Sequence, residues 1–272
     1  MIRLLITGTS QVAAIKGGWD RIAAGYAGRV AVEFFAMPAG KRRFLGFDGS
    51  SYGLVGADVP PDVVEASHKI NGRDRVDLAL HDHVLLVGWG GKGTSDHLAR
   101  VLHRFDVDGL PPRARPHRLS QAALVAAMDD QQTGIAAGLE PWARVRPDRV
   151  SVMPPPRTLE TALLAETPDK RAGVWAGLDL PDADTRKMLD LYDRRRAHAL
   201  GQVGLRLVPK SDAVLGPSGF TAARFKAGAI RLAGAEAQPE DDLQHMNADY
   251  GAIVLRDFLE TLLAETRRAL SA

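Results

Sequence analysis

Residues 1–11 read MIRLLITGTSQ, and this stretch decides the fold that the sequence predicts. The apolar residues 4–6 followed by a glycine are typical of a buried parallel strand. Apolar side chains then recur at helical spacing over residues 10–26, which predicts a helix directly after the strand. Ser10 therefore falls in the turn, where the helix N-terminus favours a developing anion, although a serine here is also a common helix cap.

Four more strands are predicted downstream, and helices alternate with them. They are residues 29–37, 84–87, 150–153 and 204–208. This alternation predicts an α/β fold with a doubly wound, flavodoxin-like parallel sheet of five strands in the order 2-1-3-4-5. We expect a small antiparallel insertion around residues 41–80, with the Asn71-Gly72 dipeptide as a hairpin turn. No repeat or linker divides the chain, so residues 1–272 are interpreted as one domain.

In this strand order the ligand crevice lies at the carboxyl ends of strands one and three, where the chain reverses. Ser10 follows strand one, and a glycine-rich loop at residues 88–93 follows strand three. Residues 154–156, three prolines after strand four, are expected to border the same crevice. Arg157 after them is interpreted as a surface arginine. Two segments far apart in sequence are thus expected to meet beside Ser10.

A second chemical motif lies before the final helix, at residues 242–247, which read DLQHMN. A carboxylate three residues before a histidine suits a base and the group that orients it, so Asp242 and His245 are candidate partners for Ser10. The alternative is structural: His245 caps the last helix and Asp242 holds it by a hydrogen bond. The order of the strands allows this motif to reach the crevice.

The arrangement resembles the SGNH (GDSL-type) hydrolase superfamily, which carries a serine in a Gly-Asp-Ser block after strand one and a late Asp-x-x-His. Here the blocks read Gly8-Thr9-Ser10-Gln11 and Asp242-Leu243-Gln244-His245, with threonine in place of the first aspartate. The resemblance implies Ser10 as nucleophile, His245 as base and Asp242 as its partner. It also implies that Gly40, after strand two, supplies an N–H group to the oxyanion hole.

The chain departs from this family at strand three, where the family has Gly-x-Asn-Asp and residues 88–91 read GWGG. Glycine replaces an asparagine that completes the oxyanion hole, and losing one such donor typically costs about 100- to 1,000-fold in rate. The resemblance is thus to a divergent member. The residues considered as bordering the hole or replacing the donor are Gly88, Trp89, Gly90, Gly91, Lys92 and Gln11.

Composition limits the remaining classes of function. The 272 residues are 45% hydrophobic, enough for a full core, and the formal net charge of +2 gives no reason to expect a nucleic-acid partner. Basic clusters at residues 41–43, 113–118 and 194–196 are interpreted as solvated. The absence of cysteine excludes disulfides and thiolate chemistry. His81-Asp82-His83 lacks a third partner and is not interpreted as a metal site.

The sequence begins without a signal-peptide pattern and has no apolar run of about 18 residues, so we expect a cytoplasmic protein without a membrane span. The leading hypothesis is a serine esterase that needs no metal or organic cofactor. Its substrate would be a small-molecule or O-acylated carbohydrate ester, as in many members of the family. Two alternatives stay open: an acyltransferase using the same serine, and a non-catalytic module that binds a glycan between Ser10 and Trp89.

Overall fold

The protein is described here from a computed structural model, which covers residues 1–89, 94–164, 173–234 and 236–271. The strands are β1 (Ile2–Gly8), β2 (Val30–Ala36), β3 (Leu45–Asp48), β4 (Ser51–Leu54), β5 (Arg75–Asp77), β6 (His83–Val87), β7 (Phe105–Val107), β8 (His117–Leu119), β9 (Val150–Met153) and β10 (Arg206–Leu207). The α-helices are α1 (Val12–Ile22), α2 (Pro61–Asn71), α3 (Thr94–Arg104), α4 (Gln121–Ala137), α5 (Glu140–Val145), α6 (Asp182–Gln202) and α7 (Ala248–Ser271).

The main sheet has five strands in the order β2-β1-β6-β9-β10, and all neighbouring strands are parallel. The prediction of a five-stranded parallel sheet is therefore confirmed. In the middle of β1, Leu4 pairs with Val32 on one side and His83 on the other. Because β2 and β6 flank β1, the carboxyl ends of β1 and β6 lie side by side, which is where ligand crevices of such sheets form.

Helices cover both faces of this sheet, because successive apolar side chains of β1 point to opposite faces and each must be buried. Leu4 and Ile6 point to one face and join the core formed with α1 and α7. Leu5, between them, joins the opposite core, which includes Trp142 of α5 and Leu200 of α6. All three β1 side chains are fully buried, and each such burial contributes roughly 1.5–3 kcal/mol. A strand that is apolar on both faces thus lies at the centre of three layers.

The predicted antiparallel insertion is also present, as the three-stranded sheet β3-β4-β5. The prediction of a hairpin turn at Asn71-Gly72 was wrong, because these residues end α2. Gly72 adopts a left-handed φ of 68° as the C-cap of this helix. The Asn71 side chain accepts the Ala36 N–H at 2.8 Å and donates to the Ala36 carbonyl at 3.0 Å, so it fastens α2 to the edge of β2.

Two further regions follow from local sequence. The strands on either side of the proline-containing connection 108–116 form a short parallel pair, β7 with β8. Helices α4 and α5 are separate, with Pro141 in the first turn of the second. Ser120 does cap α4, since its Oγ accepts the Ala123 N–H at 3.1 Å. Proline is tolerated in a first helical turn but would interrupt a continuous helix.

His81 and His83 serve separate hydrogen-bonded clusters at the amino end of the sheet. His81 contacts the Asp77 carbonyl and Glu33, both at 3.0 Å. The buried His83 faces Ser151, with its Nε2 3.0 Å from Oγ. Within the described ranges, no three histidine or acidic side chains gather as metal ligands. No helix in the part of the chain described here is long and apolar enough to cross a membrane.

The cluster around His83 favours a neutral imidazole. Ser151 Oγ accepts from Arg206 Nε and Nη2 at 3.2 and 3.1 Å, so the serine hydrogen is left to donate to His83 Nε2. Burial, followed by the positive charge of Arg206, lowers the pKa of His83 from 6.5 to about 4, although Glu265 opposes the shift. Protonating His83 would place a second cation beside Arg206 in a buried site.

We expect acid to destabilise the fold through this histidine. Between pH 6.5 and about 4 the unfolded chain binds a proton that the folded chain does not, so the free energy of unfolding falls as the pH falls. The contribution of His83 is on the order of 2–3 kcal/mol. Urea unfolding measures the decrease in the free energy of unfolding from about pH 7 to about pH 4.5. This decrease should be smaller for His83→Gln than for wild type. His198→Gln, at an exposed histidine of α6, is the control. An equal decrease in the free energy of unfolding in all three proteins would contradict the prediction.

Candidate active site

Ser10 lies in the tight turn between β1 and α1. Thr9 donates its N–H to the Val87 carbonyl at 3.3 Å, which ties this turn to the end of β6. A Cβ at Gly8 would lie 1.9 Å from the same carbonyl oxygen, so only glycine allows the two strands to meet this closely. Helix α1 begins at Val12, and its N-cap position is Gln11. The alternative that Ser10 serves as the helix cap is not supported, because its hydroxyl bonds to His245 instead.

Asp242 and His245 are joined to Ser10 by a continuous chain of hydrogen bonds. His245 Nε2 lies 2.7 Å from Ser10 Oγ, and His245 Nδ1 lies 2.6 Å from Asp242 Oδ2. The other carboxylate oxygen of Asp242 accepts the N–H groups of Gln244 and His245 at 2.8 and 2.9 Å. An ionised Asp242 accepts only, so His245 Nδ1 carries a proton and Nε2 is free to accept from the Ser10 hydroxyl.

Asp242 is held in its charged form. Its partial burial would raise the pKa, but the His245 side chain and the N–H groups of Gln244 and His245 together hold the pKa of this carboxyl well below its usual range. A carboxylate that accepts several hydrogen bonds while charged is stabilised in that state. Asp242 can therefore orient His245 and stabilise its protonated ring without itself taking the proton.

Helices α1 and α7 hold the two halves of this arrangement together. Ser10 precedes α1 and His245 precedes α7, and the two helices touch through glycines. A Cβ at Gly251 would lie 1.8 Å from the Ala14 carbonyl oxygen, and one at Gly18 would lie 2.3 Å from the Ala252 nitrogen. This close crossing, which we call the glycine crossing, fixes where each helix begins. The separation of Ser10 and His245 follows from it.

Asn247 anchors the loop that carries His245. Its Oδ1 accepts the Tyr250 N–H at 3.1 Å, so it caps α7, and its Nδ2 donates to the Ala227 carbonyl at 2.8 Å. The Asn247 N–H donates to the Phe225 carbonyl at 2.8 Å. Residues 242–247 are thus fixed at both ends, by Asp242 within the loop and by Asn247 at the start of the helix.

Ser10 and His245 open into a pocket of about 410 Å³ at the carboxyl ends of β1 and β6. Its other lining residues are Thr9, Gln11, Ala39, Gly40, Arg42, Gly88, Ser95, Asp96, Pro155, Pro156, Thr158 and Gln244. The expectation that the prolines after strand four border the crevice is therefore confirmed. The volume is in the range of small-molecule sites.

Arg157 lies behind Pro155 and Pro156, which form the proline wall of the pocket. The interpretation of Arg157 as a surface arginine was wrong. It is only 5% exposed and donates to Asp190 and Asp193 at 2.8 and 2.7 Å. Lys210 donates to the Pro155 carbonyl at 2.8 Å. Burial lowers the pKa of Lys210 to about 7, while Asp193 opposes that shift. Buried charges of this kind must be paired, so the wall rests on an ion-pair cluster that its sequence did not reveal.

Two backbone N–H groups are available as oxyanion donors at the pocket. Neither the Ser10 N–H nor the Gly40 N–H has an acceptor among the described residues, and both residues line the pocket. Gly88, which was considered as bordering the hole, also lines the pocket, and its N–H donates to the Met153 carbonyl at 3.1 Å. The side-chain amide of Gln11 donates one of its two N–H groups to the Gln244 carbonyl at 3.1 Å, which braces the loop that carries His245.

The backbone conformation at position 88 requires a glycine. Its φ is +70°, and an added Cβ would lie 2.6 Å from Thr9 Oγ1 and 2.9 Å from Gln11 Cγ. A side chain here would push the turn of Ser10 out of place. Gly90, Gly91 and Lys92, the remaining candidates for a third donor, lie outside the described residues.

Trp89, which was considered as bordering the hole, does not line the pocket and is a packing residue. Its ring packs edge-on against Trp142 with the centroids 6.0 Å apart, as part of the core below the sheet. The Arg42 guanidinium lies over the same ring, 4.6 Å from its centroid.

Arg42, Ser95, Asp96 and Thr158 were not among the expected site residues, although all four line the pocket. The signal for Arg42 was its place two residues after Gly40, but the basic cluster 41–43 was interpreted as solvated. That interpretation was also wrong for Arg196, which is 5% exposed and donates to Gln132 at 3.1 Å.

Comparisons of this chain with protein-family models, with curated proteins and with solved structures give no match.

Proposed function

We propose that this protein is a serine hydrolase that cleaves a small acyl ester, with Ser10 as nucleophile, His245 as general base and Asp242 as the group that orients the imidazole. The observation that carries the proposal is the chain of two short hydrogen bonds, 2.6 and 2.7 Å, that runs from Asp242 through His245 to a serine hydroxyl in a pocket. A nucleophile, its base and an orienting group within hydrogen-bond reach are the signature of covalent acyl transfer.

The reaction begins when Ser10 Oγ attacks the ester carbonyl carbon and His245 Nε2 takes the hydroxyl proton. The carbonyl oxygen becomes an oxyanion, which the N–H groups of Ser10 and Gly40 are positioned along the pocket to receive. The carbon–oxygen bond to the alcohol then breaks, and His245 gives its proton to the leaving oxygen. Water, activated by His245, attacks the acyl-serine and releases the acid.

The proposal extends to the SGNH type of hydrolase and to its flavodoxin-like strand order, 2-1-3-4-5. Support comes from a parallel sheet in which β1 lies between β2 and β6, with the serine after β1 and the Asp-x-x-His motif before the last helix. In this proposal the backbone N–H groups of Ser10 and Gly40 are the donors that the described residues supply to the oxyanion hole, since the Gly88 N–H bonds to Met153. An O-acylated carbohydrate remains the proposed source of the ester.

A glycan-binding module is the weaker alternative. It would be favoured by a His245 ring turned away from Ser10, with Trp89 filling the pocket. Instead the ring lies within hydrogen-bond distance of Ser10, and Trp89 packs in the core. An acyltransferase would use the same acyl-serine and pass the acyl group to an alcohol instead of water. Product analysis with added sugar acceptors separates transfer from hydrolysis.

The direct test is covalent labelling. A fluorophosphonate should label wild-type protein at Ser10, and the same protein should hydrolyse p-nitrophenyl acetate. Ser10→Ala should lose both reactions. Ser95→Ala is the matched control, because Ser95 lines the same pocket but takes no part in the hydrogen-bonded chain. Equal labelling of wild type and Ser10→Ala, or labelling of neither, would overturn the proposal.

A further inference from the structure

Arg42 places a fixed positive charge on the wall of the pocket. It lies in the short helical turn Ala39–Phe44 that follows β2, two residues after Gly40. Its guanidinium lies 4.6 Å from the centroid of Trp89, and Trp89 is itself held against the buried Trp142. Stacking of this kind uses the flat face of a guanidinium and leaves its N–H edge able to bind an acceptor.

Within the part of the chain that the structure describes, no protein group uses the N–H edge of Arg42. Across the described residues, Arg42 has no hydrogen-bond acceptor and no acidic partner. Its neighbours differ. Lys41 pairs with the Asp62 carboxylate at 2.7 Å, and Arg43 is exposed, lies over Phe44 and does not line the pocket. A half-buried arginine without a counter-ion, beside a candidate nucleophile, suits an anion that arrives with the substrate.

The other charged group of the pocket does not neutralise Arg42. Asp96 is the acidic side chain among the lining residues, and it makes no ion pair with Arg42 in the described part of the chain. Burial raises the pKa of Asp96, while the positive charge of Arg100 opposes the shift. An anionic group would therefore bind on the Arg42 side of the pocket.

We propose that Arg42 sets the specificity of this site for esters that carry a second, anionic group, either a carboxylate or a phosphate, close to the scissile bond. This inference rests on the proposed hydrolase function. The arginine fork binds both kinds of anion through paired charge-assisted hydrogen bonds. The pocket volume of about 410 Å³ restricts the substrate to a small molecule in which the anion and the ester are only a few bonds apart.

The test compares esters that differ only in charge. On the alcohol side, 4-acetoxybenzoate and 4-acetoxyphenyl phosphate are compared with methyl 4-acetoxybenzoate; on the acyl side, 4-nitrophenyl succinate is compared with its methyl ester. Wild type should favour at least one anionic ester over its neutral match by about 10- to 100-fold in kcat/KM, mainly through a lower KM. Comparison of the carboxylate and phosphate esters identifies which anion is preferred.

Three variants assign the preference to Arg42. Arg42→Gln should abolish the ratio between charged and neutral esters, and Arg42→Lys should keep part of it. Arg43→Gln removes a neighbouring charge outside the pocket and should keep the full ratio. Wild type without any preference, or Arg42→Gln with the preference intact, would overturn the inference.

The outcome stays distinct from that of the proposed function. If a fluorophosphonate labels Ser10 but the enzyme shows no preference for anionic over neutral esters, only the proposed role of Arg42 is rejected. If no ester is cleaved and Ser10 is not labelled, calorimetric titration with benzoate and phenyl phosphate decides the anion site separately. Binding to wild type but not to Arg42→Gln would sustain it, and equal binding or none would reject it.

Discussion

Replacing Asp242 with asparagine should lower kcat for a short p-nitrophenyl ester by about 10,000-fold while the protein stays folded. The asparagine oxygen can still accept the two N–H groups that Asp242 Oδ1 accepts at 2.8 and 2.9 Å. Its amide nitrogen would then donate to His245 Nδ1, where the carboxylate now accepts at 2.6 Å. His245 would carry its proton on Nε2 and could not take one from Ser10.

The measurement is steady-state kinetics together with urea unfolding of the same preparations. Glu240→Gln removes an exposed carboxylate two residues earlier and should keep the wild-type kcat. A loss of less than about 10-fold in Asp242→Asn, with an unchanged fold, would show that the orientation of His245 does not depend on this carboxylate.

Gly251→Ala should lower the free energy of unfolding by about 3 kcal/mol, because the new methyl group has no space. It would lie 1.8 Å from the carbonyl oxygen of Ala14 and 2.4 Å from its carbonyl carbon. These are backbone atoms inside α1, so the helices themselves must separate. The same shift moves His245 relative to Ser10, and a displacement of about 1 Å can cost about 100-fold in rate. Stability and kcat should therefore fall together.

Gly134→Ala is the matched control for this change. Gly134 lies within α4, and a Cβ there would meet nothing within 4 Å. Alanine should raise the free energy of unfolding by about 0.5–1 kcal/mol, since glycine is unfavourable inside a helix. Opposite signs for the two substitutions, measured by urea unfolding, are expected. A Gly251→Ala protein as stable as wild type would mean that the glycine crossing is not close-packed.

The sequence predicted those features that depend on local pattern and on general rules for parallel sheets. A buried apolar run followed by glycine identified β1, and the alternation of strands with helices implied that Ser10 and the loop after β6 would be neighbours. Asp242 and His245 are three residues apart, so their pairing is a local property. The meeting of Ser10 with His245 required only that the last helix follow the same side of the sheet.

Features that depend on distant partners could not be read in this way. Asn71-Gly72 has the composition of a hairpin turn, but glycine with positive φ serves a helix C-cap equally well. Arg157 was assigned to the surface because nothing nearby in sequence shows Asp190 and Asp193. In each case the deciding contact comes from another element of the fold.

The position of the glycine crossing also has a consequence for the order of folding. Ser10 and His245 are 235 residues apart in sequence, so the proposed site requires one of the most non-local contacts of the chain. Such contacts carry the largest loop-closure cost and form slowly. During refolding from urea, return of the tryptophan signal from the core around Trp142 should precede return of esterase turnover. The rate at which activity returns would then report the rate at which α7 docks onto α1.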